Sequence, residues 1–135
     1  MQKRRLLFYI FRNSIITNKL LSTHYLDIIS RVITDLENFP QNPERGNDML
    51  NKSLNSVRGM QDYFTKFLEG SDSSKNPIQQ QILSHITKSK ILLAKGKNQY
   101  RLYEVKNEPK FLSDTKKTIQ EALIYLREIK INLDK

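Results

Sequence analysis

The chain has 135 residues with 23 basic and 14 acidic side chains, a formal charge of +9, and 38% hydrophobic residues; this fits one domain over residues 1–135 with a single modest core. It has no cysteine, which excludes a disulfide-stapled scaffold, thiolate zinc sites and thiol catalysis. Its 4 glycines and 4 prolines are too few for the tight turns of a sandwich or barrel of short strands.

Residues 1–26 contain Lys3, Arg4, Arg5, Arg12 and Lys19, with no acid before Asp27. The apolar run Leu6 to Phe11 is short, and the first alanine in the chain is Ala94. A secretory signal, which needs a longer run and a small-residue cleavage site, is therefore not expected. Arg12, Asn13, Asn18 and Lys19 interrupt the stretch to Leu21, so no membrane span is expected there either. The expected location is cytoplasmic. A basic, acid-poor N-terminus also partly fits a mitochondrial presequence, which makes the mitochondrial matrix the alternative in a eukaryote.

A first helical segment is predicted from about Lys3 to Phe39. In its second half Leu21, Tyr25, Ile28, Ile29, Val32, Leu36 and Phe39 follow steps of three and four, which gather them on one helix face. The first half differs: Arg5, Arg12 and Lys19 form one stripe, and apolar residues occupy most of the remaining circumference. A helix apolar nearly all round requires burial on several sides. This nominates Phe8, Phe11 and Ile15, opposite Leu6, Ile10 and Leu21, as an interface bordered by Arg5, Arg12 and Lys19. The occupant would be another protein or a second copy of the chain. The competing expectation is that the third helix covers this surface within one chain.

Pro40 to Gly46 reads as a connection, with Asn47 as the N-cap of the second helix and Asp48 in its first turn. Leu50, Leu54, Val57, Gln61, Phe64 and Leu68 mark its stripe, widened by Met60 and Phe67, and Gly70 is its predicted stop. Asn76-Pro77 reads as an N-cap followed by proline at the first helical position. One face of the third helix gathers Ile78, Ile82, His85, Ile86, Ser89, Leu92, Leu93, Gly96, Tyr100 and Tyr103. The register persists across Gly96, which predicts one long helix to about Lys106, and Ser89 and Gly96 would admit a close neighbour. Pro109 breaks the pattern, and Ser113 is the predicted N-cap of a fourth helix. Its stripe is Leu112, Thr115, Ile119, Ala122, Leu123, Leu126, Ile129 and Leu133.

These periodicities predict an all-α single domain: an antiparallel bundle of about four helices, with a long first and third helix and essentially no strand. Ile82, Ile86, Leu93, Leu54, Val57, Phe64, Ile119, Leu123 and Leu126 are its expected core.

No convergent set of catalytic residues is visible. His85 lies on the apolar stripe with Gln81, Lys88 and Ser89 around it and no acid, the setting of a packed histidine rather than a general base. There is no Glu-x-x-His or His-x-x-x-His pattern for a bundle metal site and no glycine-rich phosphate loop. Arg12 and His24 are too far apart in sequence to act together on one helix, as in helical ribonucleases. The expectation is a non-enzymatic chain with no cofactor, no metal and no small-molecule substrate.

Two functions remain. The first is a helical interaction module, an adaptor or accessory subunit of a larger assembly, binding through the N-terminal stretch. The alternative is a nucleic-acid-binding bundle that uses the N-terminal cations and Lys88, Lys90, Lys95, Lys97 and Arg101. Helical spacing puts Lys88 and Lys95 on one edge of the third helix and Lys90, Lys97 and Arg101 on the other. That is also where lysine stems border a buried face and their heads stay solvated.

Overall fold

Four amphipathic segments become four helices: α1, described over residues 23–37, α2 (Pro43–Glu69), α3 (Pro77–Lys106) and α4 (Pro109–Leu133). The computed structural model describes residues 23–40, 43–69 and 77–134; 94% of these are helical and none is in a strand. The helices pack together as a single all-α bundle.

α3 lies between α2 and α4 and packs along both, while the backbones of α2 and α4 nowhere approach one another among the described residues. Pairs such as Gln99 with Thr118 and His85 with Tyr125 show that α3 and α4 run antiparallel. Gln61 with Thr87, together with Gly46 against Tyr100, shows the same for α2 and α3. α1 lies on α2 through Tyr25, whose ring is 5.5 Å from that of Phe64. After α1, Phe39 meets the ring of Tyr100 edge-on at 5.2 Å, and Glu37 reaches Arg127 of α4 at 3.8 Å.

All nine predicted core residues are buried, and Ile29, Val32, Leu36, Leu50, Met60, Tyr100, Ala122 and Ile129 join them. α3 continues without interruption through Gly96. Glycine in a helix interior costs about 1 kcal/mol relative to alanine, and burial on both flanks of α3 offsets that.

Two predicted helix starts are corrected. α2 begins at Pro43, so Glu44, Arg45 and Gly46 are helical and Asn47 is not its cap. Proline has no N–H to lose and a φ already set for the first turn, so it opens a helix as readily as it marks a loop. Glu44, rather than Asp48, takes the acidic position in the first turn. α4 likewise begins at Pro109 rather than after Ser113. The turn before it is short: Asn107 adopts φ 53°, and its N–H donates to the Tyr103 carbonyl at 2.8 Å. Asparagine tolerates this left-handed conformation and ends α3. Glu108, held extended at φ −97° and ψ 128° by the proline after it, opens α4. The predicted cap Asn76, the stop Gly70 and the first half of the N-terminal segment lie outside the described residues.

Candidate functional site

α3 carries apolar side chains on two sides. Ile82, Ile86, Leu93 and Tyr100 point into the core and are at most 4% exposed. On the far side Ile91 is 60% exposed, Leu102 41% and Val105 78%. With half-buried Ala94 and exposed Asn98 between them, they form a second stripe at steps of three and four.

The cations nominated from sequence line the two edges of this stripe. On the α4 edge Lys88 is exposed and its ammonium stands 5.4 Å from the centroid of the Tyr125 ring, within cation–π range. Lys95 is exposed on the same edge. On the α2 edge Lys90 is half-buried and donates to Gln61 Oε1 at 2.7 Å. The Gln61 amide donates in turn to Thr87 Oγ1 at 3.2 Å, and that hydroxyl donates to the Leu83 carbonyl at 2.9 Å. Gln61, polar on the apolar stripe of α2, thus bridges two helices. Lys97 is half-buried and Arg101 exposed. The five cations do not converge; two hold neighbouring helices and three border the outer stripe. Phe8, Phe11, Ile15, Arg5, Arg12 and Lys19 lie outside the described residues.

His85 and Tyr100 are held in the packing of the bundle. His85 is half-buried with its ring 5.8 Å from that of Tyr125, and both ring nitrogens are buried without a hydrogen-bond partner among the described residues. Tyr100 is fully buried. Burial first, and the nearby Glu104 and Tyr103 second, push its hydroxyl up to about 12. That hydroxyl stays neutral at physiological pH, and Tyr100 offers no face for a stacked base. Burial also raises Tyr25 and Tyr63 above the ordinary tyrosine value. Among the described residues no group of three or more acidic or histidine side chains could hold a metal ion. No described helix is long and apolar enough to cross a membrane.

The described surface also carries two open grooves, neither lined by α3. One, of about 350 Å³, runs between α1 and α2 past Arg31, Asp35, Lys52 and Ser53. The other, of about 400 Å³, lies beside the start of α4 at Pro109, Ser113, Lys116 and Lys117. Neither gathers charges of one sign around a buried polar anchor. No protein-family model matches the chain, and no curated protein or solved structure is significantly similar to it.

The outer stripe is the feature that sequence reasoning missed. A single inward face does not account for Ile91, Leu102 and Val105, which fall outside it. Their own three- and four-residue spacing with Ala94 is the signal that could have found them.

Proposed function

We propose that this protein is a non-enzymatic helical interaction module, an adaptor or accessory subunit that works by docking another protein against its helices. The observation that carries this reading is the second apolar stripe of α3, exposed at Ile91, Leu102 and Val105. A large apolar side chain left in water forgoes roughly 1.5–3 kcal/mol of burial, and a row of them along one helix marks a contact surface more than single scattered ones do. The apolar N-terminal stretch with Phe8, Phe11 and Ile15, edged by Arg5, Arg12 and Lys19, is a second contact in the same reading. A cysteine-free chain suits a reducing compartment, so the cytoplasm goes with it.

Nucleic-acid binding is the second reading, supported by the absence of any acid from Pro77 to Tyr103. It is the weaker one, because Lys88 and Lys90 are engaged with Tyr125 and Gln61 and phosphates offer nothing to the apolar stripe between them.

Because the chain has no cysteine, Ile91→Cys gives a single attachment point for a photoreactive benzophenone. Irradiated in native extract, it should yield a discrete protein adduct that survives a severalfold rise in salt. Gly59→Cys, at an exposed position of α2 with nothing within 4 Å, should not. Equal adducts from both positions, or a nucleic-acid adduct lost at high salt through counterion release, would overturn the reading.

A further inference from the structure

The outer stripe of α3 also constrains what can sit on it. From Ile91 to Val105 it is about 21 Å long, or four helical turns. Lys95 borders it toward α4 and Lys97 and Arg101 toward α2, and the one acid of α3 within this length is the exposed Glu104, beside Val105 at the C-terminal end. An occupant must therefore bring apolar surface along its middle and negative charge to both borders.

This requirement removes several occupants. The N-terminal stretch of the same chain is basic, with no acid before Asp27, and would set cations against cations. α3 of a second copy would do the same. The exposed side of α4 in a second copy offers Ile124 and Ile131, yet it mixes Lys117 and Arg127 with Glu121 and Glu128. A nucleic acid supplies charge without an apolar stripe. An anionic lipid surface favours a broad apolar face with aromatic anchors, whereas this stripe is narrow, lacks aromatics and is broken by Asn98.

We infer that the outer face of α3 receives an amphipathic helix of another protein, about four turns long, apolar along one side and acidic at both borders. The inference rests on the interaction-module reading and specifies its partner. The mode is side-by-side helix docking, with Ile91, Leu102 and Val105 as apolar anchors. Lys95, Lys97 and Arg101 set the orientation and exclude basic helices.

The test titrates the full chain with fluorescent helical peptides of about 18 residues. One carries leucines at steps of three and four flanked by glutamates; a second has the same leucines flanked by lysines. The glutamate peptide should bind at least about tenfold more tightly, a difference of roughly 1.4 kcal/mol. Ile91→Asp with Leu102→Asp should weaken it by about tenfold or more, and Lys95→Glu with Arg101→Glu should shift preference toward the lysine peptide. If the double aspartate variant loses its helical signal, Val105→Asp at the most exposed position supplies the same readout. Equal binding of the two peptides, binding indifferent to these substitutions, or tighter binding of phosphatidylserine vesicles or a short RNA would overturn the inference. So would a dimer that Ile91→Asp dissolves. Failure of the peptides alongside a protein adduct at Ile91→Cys would leave the interaction module standing and remove only this partner.

Discussion

The two sides of α3 are built from similar residues and sit in opposite environments. Inward, Ile82, Ile86, Leu93 and Tyr100 are closed off within the bundle; outward, Ile91, Leu102 and Val105 face water. Hydrophobicity alone does not separate them. The inward set shares its side with residues that let neighbours come close: Ser89, whose hydroxyl donates to the His85 carbonyl at 2.8 Å, and Gly96 beside Thr118. The outward set is edged by lysines and an arginine. Small residues and internally satisfied hydroxyls thus mark the side that holds the fold. Cationic borders mark the side that faces water.

The comparison breaks first at truncation. Leu93→Ala should cost about 2–5 kcal/mol, because it opens a cavity among fixed neighbours. Ile91→Ala, at the surface, should stay within about 0.5 kcal/mol. Chemical denaturation of the two variants measures the contrast, and similar losses would mean that the outward stripe is buried after all.

The next test probes how tightly the inward side is filled. A Cβ on Gly46 would fall on the ring of Tyr100, meeting Cζ, the hydroxyl, and Cε1 at 2.7 Å. Tyr100 is fully buried and packed edge-on against Phe39, so the ring has little room to retreat. Gly46→Ala should therefore cost about 1–3 kcal/mol by overpacking, read from the same denaturation curves, although alanine is the better helix former.

A third substitution isolates the Tyr100 hydroxyl, which is buried without a hydrogen-bond partner among the described residues. Removing it in Tyr100→Phe should raise stability by about 1 kcal/mol, since an unsatisfied buried polar group is costly. Tyr100 ionises at about 12 in the fold against 10.0 ordinarily. The folded state keeps its proton where the unfolded state has lost it, so this contribution is complete below about pH 10. It falls as pH rises toward about 12. Thermal melts across that window should therefore drop more steeply for the native chain than for Tyr100→Phe.

The smallest effect has the opposite sign to Gly46→Ala. A Cβ on Gly96 would meet Thr118 Cγ2 at 3.6 Å, an ordinary contact. Gly96→Ala should stabilise by up to about 1 kcal/mol through helix propensity, visible as a raised melting temperature. A loss instead would mean that α3 and α4 cannot spread even slightly at this level.

Much of this organisation was legible in the sequence, because it is local. The inward stripes of α2, α3 and α4 follow from spacing alone, and so does the separation of Lys88 from Lys90 onto opposite edges of α3. The helix starts at Pro43 and Pro109 were not legible, since a proline in a first turn and a proline in a loop look alike until the chain around them is placed. The place of Gly46 depends on Tyr100, far along the chain, and no local pattern encodes that pairing. Ser53 and Asn132, buried polar residues, were hidden for the same reason. The outer stripe of α3 is hidden from a one-face reading because this helix carries apolar residues on two sides. The N-terminal residues proposed as a contact lie outside the described residues.

The most direct measurement of the central claim is a methyl-resolved NMR titration of the full chain with the glutamate-flanked peptide. The methyl signals of Ile91, Leu102 and Val105 should shift together and saturate, while those of Ile82, Ile86 and Leu93 hold their positions. Shifts confined to another surface, or spread evenly over both sides of α3, would contradict it.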